Sequence, residues 1–105
     1  LYDGGSSVRD IMHVDDVCRA IHLVCGKGNL NQIYNIGSGQ PTKVFDIMKA
    51  SKDYLGSTSN ILSQPVPEFH KIVQVKNFWM DTSKLNDLGF TQNISNQQII
   101  QELCQ

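Results

Sequence analysis

The chain has 105 residues, 40% hydrophobic and 18% charged, which suits one domain with a modest core and excludes a disordered polyelectrolyte. Nine basic and ten acidic side chains leave a net charge of −1, which argues against a nucleic-acid-binding surface. No apolar run approaches the roughly 20 residues of a membrane span, and no basic-then-apolar leader opens the chain.

Leu1, not Met, stands first, inside a Gly/Ser loop over residues 1–7. That is the expectation for a piece of a longer protein. Val8 to Val14 reads as a short strand. Asp15 and Asp16 then open a helix through about Cys25, with Gly26 as its C-terminal stop. Val17, Cys18, Ala20, Ile21, Leu23, Val24 and Cys25 cover most of its circumference, so the helix is expected to be buried on more than one side. Gln32 to Ile36 reads as a second strand, and residues 37–41 turn the chain. Thr42 is placed to cap a helix to about Tyr54, closed by Gly56.

Residues 57–60 form a polar loop, and residues 61–68, with Pro65 and Pro67, are extended at best. Lys71 to Lys76 alternates weakly, as a strand would. Asp81 caps a short helix over 82–88, closed by Gly89. The last helix carries the clearest local signature. Ser95 and Gln98 have capping-box spacing, and Ile94 and Ile99 occupy the staple positions. Ile99, Ile100 and Leu103 supply its apolar face.

The cysteines Cys18, Cys25 and Cys104 are too few and too scattered for a disulfide framework. They read as reduced thiols, which places the protein in the cytoplasm. No paired His/Cys spacing supports a metal site. Asp15 and Asp16 are better explained by helix-start chemistry than as a catalytic carboxylate pair. His13, on a mostly apolar strand, reads as a hydrogen-bonded, partly buried histidine. Arg19 reads as a solvated charge, and Phe78-Trp79-Met80 as packing.

Three features keep two readings each. Gly37-Ser38-Gly39, between a strand and a helix, has the free amides to hold a phosphate, and is equally an ordinary tight turn. Arg9 has the planar fork to grip a diphosphate, or pairs with Asp10 or another acid. Asn35 caps the glycine turn or contacts a ligand.

Val8-Arg9-Asp10-Ile11-Met12-His13-Val14-Asp15-Asp16 and the residues through Ala20 resemble the Arg-Asp-x-x-His/Tyr-Val-x-Asp-x-x-x-Ala segment of extended short-chain dehydrogenase/reductases. These are NAD-dependent nucleotide-sugar epimerases and dehydratases. Tyr34-Asn35-Ile36-Gly37-Ser38-Gly39 is similar to their Tyr-Asn-Ile-Gly-x-Gly turn. Asp81-Thr82-Ser83-Lys84-Leu85, followed by Leu88-Gly89-Phe90, is similar to their Asp-x-Ser-Lys-x-x-x-Leu-Gly-Phe/Trp segment. Three motifs in order span nearly the whole chain, yet correspond only to the C-terminal third of such an enzyme.

The resemblance implies a mixed α/β (α+β) substrate-binding lobe, a single domain over residues 1–105 with short strands and about four helices, lacking the Rossmann domain. It implies that Arg9 grips the diphosphate of a nucleoside-diphosphate sugar, with Asn35 a weaker contact. The family's second phosphate-binding arginine has no counterpart among Val66-Pro67-Glu68-Phe69-His70-Lys71, where His70 or Lys71 would substitute. The family's Gly-x-x-Gly-x-x-Gly loop and Tyr-x-x-x-Lys pair are not in this sequence. The implied NAD(P) therefore belongs to the full-length parent, with no cofactor and no catalytic residue in this chain. The isolated chain is expected to be inactive as an isomerase or dehydratase, and to self-associate through the face a Rossmann domain would cover. A stand-alone anion or nucleotide-sugar binding module, and a structural remnant, remain as alternatives.

Overall fold

Helix α1 runs from Val14 to Lys27, and His13 starts it. The His13 Nδ1 accepts the Asp15 backbone N–H at 3.0 Å, satisfying one of the amides that a helix N-terminus leaves free. The helix does not stop at Gly26. It continues two residues further than expected, and Gly28 takes the C-cap, its N–H donating to the Val24 carbonyl at 2.8 Å. A side chain at Gly28 would collide with the Val24 carbonyl and the Tyr34 ring, so the glycine required here is Gly28.

The computed structural model describes residues 1–105. Two short strands, β1 (Val8–Arg9) and β2 (Thr42–Lys43), pair antiparallel with Val8 opposite Lys43 and Arg9 opposite Thr42. On its other edge β1 meets residues 76–78, where Val8 N–H donates to the Lys76 carbonyl and Phe78 N–H to the Val8 carbonyl. The expected strand over 8–14 ends at Arg9, because the next residue, Asp10, takes the facing amides with its side chain. The expected strand over 32–36 does not form. It has no neighbouring strand to complete a ladder, and an unpaired β segment has little to hold it.

Four further helices follow. Helix α2 (Val44–Leu55) begins after Lys43, not on a Thr42 cap, since Thr42 lies in β2. It ends as expected at Gly56, whose φ of 62° is the left-handed conformation a C-terminal glycine supplies. Helix α3 (Glu68–Val73) replaces the strand expected over 71–76 and raises the helix number from about four to five. Pro67 precedes it, with Glu68 in its first turn and Lys71 in its last, the charge order a helix dipole favours. Helix α4 (Ser83–Asp87) follows Asp81, whose Oδ1 accepts from the Ser83 N–H and hydroxyl. Helix α5 (Asn96–Leu103) has the full capping box, Ser95 accepting from Gln98 N–H and Gln98 Oε1 from Ser95 N–H.

Ala20, Leu85 and Phe90 make one core cluster, with Met12, Leu23, Val24 and Ile36 packed around it, and Ile99 and Ile100 of α5 are buried apart from it. Helix α1 is therefore buried on one side only, and the expectation of a second covered face fails in this chain. Val14 and Ile21 stay exposed. The molecule is a slab of 48 × 34 × 15 Å with a radius of gyration of 16.4 Å, where a compact chain of this length gives about 13 Å. Its accessible surface is 7413 Å², against about 5,900 Å² for a compact monomer of this mass. Large apolar side chains are exposed along the chain, among them Leu30, Ile33, Leu62, Phe69, Ile72 and Leu103. No helix is long and apolar enough to cross a membrane.

Candidate functional site

Strand β1 puts Arg9 against the 76–78 segment. Its Nη1 donates to the Val8 carbonyl at 2.8 Å and the Lys76 carbonyl at 2.9 Å. The ion pairs of the molecule join His13 with Asp15 and Glu102, and Arg19 with Asp16. Arg9 has no carboxylate partner, which removes the ion-pair reading. Two carbonyls fix its guanidinium while leaving the positive charge uncompensated, an arrangement suited to a phosphate.

Helix α3 and the segment after it bring His70, Lys71 and Lys76 around a cleft of about 180 Å³. Asp3, Ser7 and Gln74 complete its polar wall. The His70 ring packs against Tyr2 at 5.3 Å between centroids. Arg9 reaches this neighbourhood through Lys76, whose carbonyl it binds. Lys76 is a cation that the motif reading did not single out. The signal available was its place as the last residue of the predicted strand. Asn35 is engaged elsewhere, its Nδ2 donating to the Asp81 carbonyl at 3.1 Å, so it clips the glycine turn to the start of α4.

The Gly37-Ser38-Gly39 turn does hold an anion, but the anion is the chain's own. Asp10 Oδ1 accepts from Ser38 N–H (2.8 Å) and Ser38 Oγ (2.7 Å), and Oδ2 from Gly39 N–H (2.9 Å) and Met80 N–H (3.1 Å). Burial alone would push the Asp10 carboxyl up. The four donors outweigh it and hold the group below its ordinary value. The phosphate reading of this turn is thereby overturned, and a dinucleotide pyrophosphate does not fit amides already taken. The glycines serve close packing: a Cβ on Gly37 would lie 2.7 Å from Met80 Cγ and 3.0 Å from Asp10 Oδ2.

Asp16 does more than favour a helix start. Fully buried, it accepts from Arg19 Nη2 (2.8 Å), Ile94 N–H (2.9 Å) and Asn93 N–H (3.3 Å), tying α1 to the loop before α5. Burial raises its carboxyl, and Arg19 with the two amides overcomes that and lowers it. Arg19 is correspondingly not a free solvated charge. It also donates to the Thr91 carbonyl at 2.8 Å and stands 5.0 Å over the Phe90 ring. His13 is hydrogen-bonded and partly buried as expected, its Nε2 2.8 Å from Glu102 Oε2. The three cysteines are free, and no group of three or more His, Cys, Asp or Glu side chains is placed to hold a metal ion.

A family model described as the NAD dependent epimerase/dehydratase family matches residues 1–37. A trifunctional UDP-glucose 4,6-dehydratase/UDP-4-keto-6-deoxy-D-glucose 3,5-epimerase/UDP-4-keto-L-rhamnose-reductase of Arabidopsis thaliana is 28% identical over 90 residues, covering 86% of this chain and 13% of that protein. A dTDP-glucose 4,6-dehydratase of Salmonella typhimurium is 34% identical over 55 residues, 52% of this chain and 15% of that protein. Among solved structures, a UDP-glucose 4-epimerase of Thermotoga maritima with UDP-glucose superposes with a TM-score of 0.81 at 29% identity, covering 96% of this chain and 31% of that one. RMD from Pseudomonas aeruginosa complexed with NADPH gives a TM-score of 0.83 over 99% of this chain and 33% of that one. At 20% identity that second likeness shows the fold alone. The chain thus spans about a third of the length of these two solved structures.

Proposed function

From the likeness of residues 1–37 to the NAD dependent epimerase/dehydratase family, we propose that this chain is the C-terminal, substrate-binding lobe of a cytoplasmic nucleotide-sugar epimerase or dehydratase. Its task is to grip the diphosphate of a nucleoside-diphosphate sugar and to wall one side of the sugar pocket. The observation that carries this reading is Arg9, fixed by two carbonyls and free of any carboxylate, next to the cleft that His70, Lys71 and Lys76 line. Arg9 supplies a bidentate fork, and the lysines supply point charges. Asn35 acts on the ligand only through the turn it fixes.

NAD(P) binding and the catalytic tyrosine–lysine pair are assigned to a Rossmann domain of the parent. The flat shape and the surplus of roughly 1,500 Å² over a compact monomer support such a partner, since a specific interface removes about 800 Å² from each side. Taken alone, the chain is inert in this reading, with no epimerase or dehydratase turnover. Calorimetric titration of the full-length protein with a nucleoside-diphosphate sugar tests the site. Arg9→Lys is expected to weaken binding, and Arg9→Ala to weaken it further, by about 1.5–3 kcal/mol for a lost bond to a charged group. Unchanged affinity for Arg9→Ala in a folded protein would remove Arg9 from the site. Turnover by the 105-residue chain alone would overturn the assignment of catalysis to the partner domain.

A further inference from the structure

A second and larger cleft shares no lining residue with the cationic one. It encloses about 810 Å³ between the 37–41 turn, the end of α4 and the start of α5. No ionisable side chain lines it. Six carboxamides do: Gln40, Asn86, Gln92, Asn93, Asn96 and Gln97.

Three of the six are oriented by the protein. Gln92 Nε2 donates to the Ile94 carbonyl at 2.8 Å, Asn86 Nδ2 to Thr82 Oγ1 at 3.3 Å, and Asn96 Nδ2 to Thr42 Oγ1 at 2.9 Å. The Thr42 hydroxyl in turn donates to the Gln40 carbonyl, so it meets Asn96 as an acceptor. In each carboxamide one N–H is committed, and the oxygen accepts no hydrogen bond within the protein. The Asn96 Oδ1 is buried without a partner, a rare condition for a polar atom. Asn86 and Gln92 therefore keep one acceptor and one further N–H donor each, while Asn96, its oxygen closed off, keeps its second N–H.

A hydroxyl both donates and accepts, so it satisfies that pair. An ammonium only donates, a carbonyl only accepts, and a charged ligand would find no counter-charge in the wall. We propose that this cleft is a binding site for a neutral polyhydroxylated ligand, a sugar or polyol bearing no phosphate. It is separate from the diphosphate grip at Arg9.

The test is a titration of the isotopically labelled protein, followed through the side-chain NH2 resonances of Asn86, Gln92 and Asn96. D-Glucose, sorbitol, ammonium chloride and UDP are the probes, each in its own arm. The expected result is saturable movement of these three resonances with glucose or with sorbitol, and none with ammonium or UDP. Asn96→Leu is expected to weaken the response about tenfold, the effect of one lost hydrogen bond. Asn86→Leu, on the opposite wall, provides the same reading should the first variant not fold. A uniform, unsaturable drift with both glucose and sorbitol would overturn the proposal. So would saturable shifts of the same amides with ammonium or UDP, or a response that survives both substitutions.

Discussion

Asp10 is the residue whose replacement most sharply tests the reasoning. Its two oxygens accept from four donors, two on each oxygen. Three of the four donors are backbone N–H groups, which cannot accept, so the pocket requires an acceptor on both sides. Asparagine is nearly the same size but offers one oxygen and one NH2. Whichever way it turns, its NH2 faces at least one backbone N–H, from Ser38 or from both Gly39 and Met80. A hydrogen bond to a charged group contributes about 1.5–3 kcal/mol. The four here share one half-buried carboxylate and do not add, so Asp10→Ala costs on the order of 3 kcal/mol. Asp10→Asn loses half the acceptors and gains a donor–donor contact, costing on the order of 2 kcal/mol. Urea unfolding of the two variants and the parent sequence at neutral pH measures this, with an excluded osmolyte added equally if a variant is too weak to fold. The acid limb gives an independent reading. Asp10 is held below its ordinary value, so its contribution is present above the unfolded value near 4 and disappears as pH falls through the lower folded value. Asp10→Asn should flatten that part of the pH profile. An Asn variant as stable as the parent, with an unchanged acid limb, would refute the requirement for an acceptor on both sides.

Other outcomes follow from the same contacts. Asp16→Asn breaks a buried pair with Arg19 and should cost about 2 kcal/mol or more, less than the full buried-pair value because Arg19 is partly exposed; thermal unfolding reads it. Gly26→Ala, in the last turn of α1 with open space around it, should stabilise by about 0.5 kcal/mol or less, below the mid-helix value. Gly39→Ala should destabilise by more than about 1 kcal/mol, because Gly39 has φ 71° and its added Cβ would meet Thr82 Oγ1 at 2.6 Å; calorimetry of the two glycine variants gives opposite signs or the reading fails. The isolated chain should sediment with a mass that rises with concentration, through its exposed apolar surface. A fixed monomer mass across the micromolar range would count against that.

What could be read from the residues alone was what neighbours in sequence decide. The Ser95/Gln98 capping box and the left-handed stop at Gly56 lie within a few positions of their partners, and both stand in the structure as read. The two-residue error at Gly26 is of the same local kind. It was decided by the Tyr34 ring and the Val24 carbonyl crowding Gly28, which periodicity does not report. Long-range partners were beyond reach. Nothing in the Arg9-Asp10 dipeptide says that the acid, and not a phosphate, fills the glycine turn 28 residues on, leaving the arginine without a carboxylate. Asp16 met its amides 78 positions away in the same hidden manner.

The failed strands have a different cause. A helix completes its hydrogen bonds internally, whereas a strand depends on a neighbour. Gln32 to Ile36 has the composition of a strand, and Ile33 on it is 81% exposed. Its β-type pattern and its exposure in a chain that offers it no neighbour are consistent with a sequence shaped for a larger sheet. The same logic covers α1, patterned for burial on two sides and buried here on one. These are mismatches of one kind, between apolar patterning and the packing available within 105 residues. Under the proposed function, they would lie where the parent's Rossmann domain covers this lobe. Supplying that domain should therefore protect the amides of residues 32–36 from hydrogen exchange, while leaving the Asp10 and Asp16 clasps, complete within this chain, unchanged.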